Sequence, residues 1–316
     1  MDPLVTIIIP AYNSASTIRE TLDVCSAQTW RRLQIIVVDD GSEDDTAAVV
    51  ESHTDQRVQL MLQPNGGACR ARNVGLHHAQ GEFVQFIDAD DTMEPNKIEL
   101  QVRALDSAAA GSVAYGSWWE FFDTQLGSTQ VGFNQGRDFD CAMDWLFYSM
   151  SEGFYLPPHC WLVPRAVVAD AGPWDEKLKQ NQDGEYFSRI LENATAVKWV
   201  PASTSYYRSG YDASISSVRG RECTHSLIRA AGLTRDRMLA YAGEDLDQRA
   251  LISALYLRIL YRMDPSDFEL TQQIWSEIDE LGLPPRSIPV GGKKFRKLKA
   301  LFGWRAAFAL KHKLLH

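Results

Sequence analysis

Four short apolar runs, each followed by a turn or a cluster of acids and then by a helical pattern, constrain how this 316-residue chain can fold. The runs are LVTIII (4–9), LQIIVV (33–38), VQLML (58–62) and FVQFI (83–87). The first is continuous, rich in β-branched residues and ended by Pro10, the mark of a strand buried on both faces. Between the runs lie a helix over 16–28, with Ser16 as N-cap and Ile18, Leu22 and Cys25 facing inward, a second over 43–53, and a third over 68–79 opened by Gly66 and Gly67. Strands alternating with helices predict βαβ units, hence an α/β fold whose mostly parallel sheet is doubly wound with right-handed crossovers. Ligands of such sheets sit outside the carboxyl ends of the strands. Asn13, Asp39, Asp40, Asp88 and Asp90 all fall there.

A single aspartate past a strand end serves equally well as a helix cap or an Asx turn; a cluster asks for more. Asp88 and Asp90 are two apart and share one face of an extended chain, and a divalent cation relieves their repulsion. Hard oxygen ligands with room for water and phosphate suit Mg²⁺ or Mn²⁺. The first turn, PAYNSAST, lacks the GxGxxG of a dinucleotide site, and no GxxxxGK[ST] occurs anywhere, which disfavours nicotinamide, flavin and P-loop chemistry. The 32 Lys and Arg against 41 Asp and Glu leave a net charge of −9, arguing against nucleic acid as a partner. Five scattered cysteines without a CxxC pair read as free thiols of a reducing compartment. No apolar run reaches the roughly 18 residues of a membrane span, and the start, Met1-Asp2-Pro3, is unlike a signal peptide, so a cytoplasmic location is expected.

The segments VTIIIPAYNSASTIRETL, LQIIVVDDGSEDDT, QPNGGACRARNVGL and GEFVQFIDADDTMEP resemble, in order and spacing, glycosyltransferase family 2, a family of GT-A fold. The likeness is dense over 4–100, looser over 101–210 and absent beyond about 215. It implies a Rossmann-like GT-A sheet and inverting, metal-dependent transfer from a nucleoside-diphosphate sugar. UDP is the favoured nucleotide, with dTDP and GDP as alternatives. The implied acceptor is a hydroxyl of a saccharide or lipid-linked molecule, in cell-surface polysaccharide synthesis. Carried over residue by residue, Pro10, Ala11, Tyr12 and Asn13 match the loop that packs on the nucleotide base, and Asp39 or Asp40 the carboxylate that binds it. Arg72 matches a basic residue near the base and diphosphate. Asp88-Ala89-Asp90 matches the DxD element, Asp90 being the metal ligand and Asp88 lying nearer the ribose.

Inverting transfer also needs a base for the acceptor hydroxyl. The segment QNQDGEYFSR (180–189) resembles the family's ED-type motif, with Gln182 where Glu is common and Asp183 at the base position. A carboxylate at a helix N-terminus also caps it, and Glu185 is the fallback. Trp118 and Trp119 lead to an expected hairpin around Gly127; Trp161 is the preferred sugar platform, and His159 an acceptor contact or a support behind it. Tyr206-Tyr207-Arg208, with Ser214 and Ser216, resembles the family's YR-x-H loop without its histidine, leaving Arg208 as a phosphate contact. The expected organisation is a catalytic domain over 1–215, a helical appendage and linker over 216–290, and a tail over 291–316. That tail holds Lys293, Lys294, Arg296, Lys297, Lys299, Arg305, Lys311 and Lys313 and no acid. Its apolar residues suit peripheral contact with an anionic membrane, as they suit an ordinary basic surface helix. The runner-up function is a catalytically inactive nucleotide-sugar-binding or scaffolding module of the same fold; intact Asp88, Asp90 and Asp183 weigh against it.

Overall fold

The computed structural model describes residues 2–122, 131–210, 220–264, 266–285 and 290–315. The chain divides into two compact units, one formed by Met1–Ala142, Leu156–Glu176 and Arg189–Asp212, the other by Met143–Tyr155, Lys177–Ser188 and Ala213–His316.

The first unit is built on the four apolar runs, which become β1 (Val5–Ala11), β2 (Leu33–Asp39), β3 (Val58–Leu62) and β4 (Phe83–Phe86). Burial of every residue of β2, and of all but one in β1, is what continuous β-branched sequence dictates. The intervening helices are α1 (Ile18–Ser26), α2 (Thr46–Glu51) and α3 (Ala68–His78). Helix α1 starts one residue later than its Ser16 cap predicts. The Ser14 carbonyl captures the Thr17 and Ile18 N–H groups at 3.0 and 2.9 Å, so a turn precedes the helix and Thr17 takes the N-cap position.

After β4 come β5 (Thr92–Met93), α4 (Lys97–Asp106), β6 (Val113–Phe122), β7 (Gly132–Phe133), α5 (Ala142–Glu152), β8 (Trp161–Pro164), α6 (Arg165–Ala171), α7 (Gln182–Asn193) and β9 (Val197–Ser209). The sheet order is β3-β2-β1-β4-β8-β6-β9-β5, with β7 paired to β6. Six of these nine strands run one way; β5, β7 and β8 oppose them. The β6–β7 pair is the expected hairpin; its connection around Gly127, like Ser214 and Ser216, lies outside the described residues.

Alternation along β1 divides the core. Ile7 and Ile9 pack with Ile18, Leu22 and Cys25 of α1 and Ile98 and Val102 of α4. Ile8 faces α3, where a Cβ on Gly75 would stand 2.5 Å from the Ile8 side chain, so this helix lies close to the sheet only because residue 75 is glycine. Cys25, buried in that layer, has its thiol pushed up to about 12 by burial, consistent with an inert free thiol.

Lys97 is fully buried beneath the same sheet, its Nζ donating to Gln85 Oε1 and to the Trp161 carbonyl at 3.3 Å. Burial drags its pKa down to about 7. Between about 7 and the ordinary value of 10.5, the unfolded chain binds one proton more than the folded one, so this group makes stability rise with pH; below about 7 its penalty is complete. Lys97→Met is therefore expected to gain most on wild type at pH 7 and to lose that advantage toward pH 10. Urea unfolding at both pH values measures it, the local slope reaching roughly 1.4 kcal/mol per pH unit.

The second unit is helical. It holds α8 (Arg221–Ala242), α9 (Leu246–Arg262), α10 (Phe268–Glu280) and α11 (Lys293–Leu315), as the apolar periodicity beyond residue 221 predicts. Glu277 of α10 pairs with Arg235 of α8 and accepts from Tyr256 of α9 at 2.8 Å, tying three helices together. The basic tail is α11, broken at Gly303 by a φ of 75°. Its Phe295 and Phe308 are buried against each other, ring centroids 4.9 Å apart, while Leu301 and Phe302 are exposed. Among the described residues no helix is long and apolar enough to cross a membrane.

Candidate active site

The strand order places β2 on one side of β1 and β4 on the other, so the crossovers diverge at the carboxyl end of β1. That divergence opens a crevice in any doubly wound sheet. Three loops meet at it: 12–15 after β1, 40–46 after β2 and 87–91 after β4.

The first two loops are clipped together. Asn13, with an unusual φ of 48°, accepts from the Glu43 N–H at 2.8 Å and donates its own N–H to Ser42 Oγ at 2.9 Å. Ser14 and Ala15 N–H groups donate to Thr46 Oγ1 and Asp44 Oδ2. Held this way, Tyr12 stays 48% exposed at the rim. The two aspartates after β2 separate in role. Asp40 spends both oxygens on the loop before α3, accepting from Gln63 Nε2 and the Gly66 N–H through one and from the Gly67 N–H through the other, at 2.6–2.8 Å. Asp39 accepts from the Ser42 N–H at 2.7 Å through Oδ1. The turn that follows them, between β2 and α2, requires glycine at 41, where φ is 75° and a Cβ would meet the Asn65 nitrogen at 2.8 Å.

Helix α3 carries Arg72 inward. Its guanidinium is buried, reaches Asp88 Oδ1 at 2.6 Å and lies 4.6 Å over the Trp174 ring, which in turn packs edge-on against Phe86. Asp88, Asp90 and Asp91 follow β4 in one tight loop, in which the Asp91 N–H donates to the Asp88 carbonyl at 3.1 Å. Burial first, then Asp91 and Asp88, push the Asp90 carboxyl up to about 7. Asp91 is fully buried 2.7 Å from His159 Nδ1; burial alone would lower the histidine's pKa, but Asp91 raises it to about 10.

Hard carboxylate oxygens crowded at an open crevice fit Mg²⁺ or Mn²⁺, which take one or two carboxylates and fill their remaining positions with phosphate oxygens and water. Among the described residues no group of three or more His, Cys, Asp or Glu forms an all-protein metal cage, so Asp88 and Asp90 would be the protein's share.

Two expected residues stand differently from their sequence reading, and His159 keeps only one of its two. Trp161 is 1% exposed and stacked on Tyr115 at 5.4 Å, so its ring belongs to the core of the sheet and offers no open face to a sugar. Arg208 is buried: Nε donates to the Asp90 carbonyl at 2.7 Å, Nη2 pairs with Glu20, and the guanidinium lies 4.4 Å over Phe121. It braces the acidic loop from behind. His159 is likewise buried, which removes it from any acceptor surface.

In the second unit, Asp183 stands in the first turn of α7, and Tyr155 Oη donates to its Oδ2. Glu185, two residues on, is buried and paired with Arg237 Nη2 at 3.3 Å. That commitment makes it the poorer candidate of the two for proton transfer.

A family model described as glycosyl transferase family 2 matches residues 6–168, more than half of the chain. The chain belongs to glycosyltransferase family 2. It is 33% identical over 193 residues to an uncharacterized glycosyltransferase of Rickettsia typhi, a match covering 60% of this chain and 59% of that protein. It is 32% identical over 127 residues to the glycosyltransferase GlyA of Streptococcus pneumoniae, covering 40% of this chain and 18% of that one. The chain thus spans less than two thirds of these relatives. Among solved structures it superposes on residues 1–349 of S. aureus TarS in complex with UDP-GlcNAc with a TM-score of 0.70, 17% identity, and coverage of 98% and 91%. The mannosyltransferase PcManGT of Pyrobaculum calidifontis, in complex with GDP-Man and Mn²⁺, superposes with a TM-score of 0.52 and 18% identity, covering 99% of this chain and 88% of that one. At such identities the likeness is one of fold, and that fold is the GT-A type expected from the four motif segments.

The sequence reading missed Asp91, Trp174 and Tyr155. Asp91 was in plain view beside the DxD pair, yet nothing local separates a buried acid from an exposed one. Its partner is distant in sequence, as Asp183 is from Tyr155.

Proposed function

We propose that this chain transfers a sugar, with inversion, from a nucleoside-diphosphate sugar to a hydroxyl of a saccharide or lipid-linked acceptor, with UDP as the favoured nucleotide. The observation that carries the proposal is the convergence of Tyr12, Asp39, Arg72, Asp88 and Asp90 at the divergence point of the sheet. Tyr12 offers an exposed ring for the flat base, and Asp39, which gives Oδ1 to Ser42, accepts from the base through its second oxygen. This narrows the pair of candidates after β2, because both Asp40 oxygens are occupied by the chain. Arg72, oriented by Trp174, holds Asp88 in place beside the ribose. Asp88 and Asp90 would hold Mn²⁺ or Mg²⁺, which when bound neutralises charge on the departing diphosphate.

Asp183 is the proposed base, taking the proton from the acceptor hydroxyl as it attacks the anomeric carbon. Its place at a helix N-terminus favours the ionised carboxylate that a base requires. Tyr155 donates to one of its oxygens and so orients the carboxylate.

Incubation with a panel of UDP-, dTDP- and GDP-sugars, saccharide acceptors and Mn²⁺ tests the proposal. Nucleoside diphosphate should be released from a UDP-sugar, and chelation should stop the release. Absence of turnover across the whole panel, with the protein folded, would contradict it.

A further inference from the structure

His159 and Asp91 form a fully buried ion pair directly beneath the acidic loop, and neither has a surface to offer a substrate. Both backbone groups of Asp91 and its Oδ1 are nonetheless hydrogen-bonded, and its Oδ2 faces the histidine across the ion pair. Its N–H closes the turn on the Asp88 carbonyl at 3.1 Å, and its own carbonyl accepts from Thr21 Oγ1 of α1 at 2.9 Å. Its Oδ1 accepts from the Arg208 N–H of β9 at 2.9 Å, and its Oδ2 lies 2.7 Å from His159 Nδ1. His159 is anchored in turn: its carbonyl accepts from Gln85 Nε2 of β4 at 3.1 Å and from Ser205 Oγ of β9 at 3.2 Å. Strand β9 and His159 therefore meet the Asp91 side chain itself, while α1 holds its backbone and β4 holds the backbone of its partner, all at a residue next to Asp90 in sequence.

A buried carboxylate without a compensating charge is among the costliest groups a fold can hold. With His159 gone, the Arg208 N–H would be the one hydrogen-bond donor left to the Asp91 carboxylate among the described residues, and the loop would relieve the strain by shifting toward water. Asp88 and Asp90 move with it, since the turn from 88 to 91 is one hydrogen-bonded unit. Ligands for a cation tolerate little displacement, and supports behind the ligands commonly set affinity.

We propose that His159, acting through Asp91, is a positioning residue that fixes the loop presenting Asp88 and Asp90 to a metal-bound diphosphate. The inference rests on the donor-site assignment above. It is not a substrate contact and takes no part in proton transfer.

Calorimetry of UDP binding with and without Mn²⁺, on protein held well below its melting temperature, tests it without recourse to activity. His159→Phe keeps the ring volume and removes both nitrogens; it should lose about tenfold or more of the Mn²⁺-linked gain in UDP affinity while metal-free UDP binding stays near wild type. His159→Gln retains a nitrogen donor toward Asp91 and should lose only a few-fold. A purely structural histidine would lower the melting temperature of both variants and leave the metal-linked gain intact, and that result overturns the inference. If His159→Phe does not fold, the His159→Gln value decides alone, with an undiminished gain counting against it. A wild-type protein showing no Mn²⁺-linked gain overturns the donor-site assignment, and this inference with it.

Discussion

Replacing Asp90 with alanine is expected to reduce sugar transfer below detection and to erase the Mn²⁺-dependent part of nucleotide affinity, while leaving the protein folded. The fold should survive because ionised Asp90 does not support it. Burial and the neighbouring Asp91 and Asp88 push its pKa up to about 7, and a carboxyl whose pKa rises on folding weakens the native state at pH values above that shifted pKa. Its removal should therefore leave the melting temperature at pH 8 equal to wild type or higher. A residue held at such a cost is explained by binding, not by stability. Calorimetric titration of UDP with and without Mn²⁺, alongside a melting curve, separates the two effects. Unchanged turnover in Asp90→Ala would refute the metal assignment.

Asp183→Asn is expected to lower turnover by about 10² to 10⁴, the range of general-base catalysis, with UDP affinity unaltered. Asparagine keeps the shape of the side chain and an oxygen to accept from Tyr155, so position is conserved and only basicity is lost. Steady-state kinetics at saturating donor, paired with UDP binding, would check it. An effect confined to donor affinity would move the base elsewhere, though Glu185 is poorly suited to inherit the role because Arg237 already holds it.

The half of the molecule proposed to bind the donor was legible because its signals are local. Continuous β-branched runs such as residues 33–38 can only be buried on both faces, and acids placed just past them fall at strand ends whatever the tertiary details. The aspartates after β2 were harder to tell apart. Asp40 is claimed by the Gly66 and Gly67 N–H groups, a contact created by how the chain turns into α3 and invisible in the triplet itself. Trp161 misled for a related reason: an aromatic residue after two prolines looks like a loop platform, but pairing of β8 with β6 stacks it on Tyr115 in the core. Arg208 was found by motif and reassigned by packing, since Phe121, Glu20 and the Asp90 carbonyl absorb its guanidinium. The pairing of Asp91 with His159 could not be read at all, because an ion pair between distant segments leaves no periodicity.

The central claim is that the acids after β4 receive a cation and the diphosphate it accompanies. Anomalous diffraction from crystals soaked with UDP and Mn²⁺ tests it most directly. The manganese peak should lie against the Asp90 carboxylate, bridged to diphosphate oxygens, with the base beside Tyr12 and Asp39. A manganese peak and diphosphate density remote from Asp88 and Asp90 would contradict it.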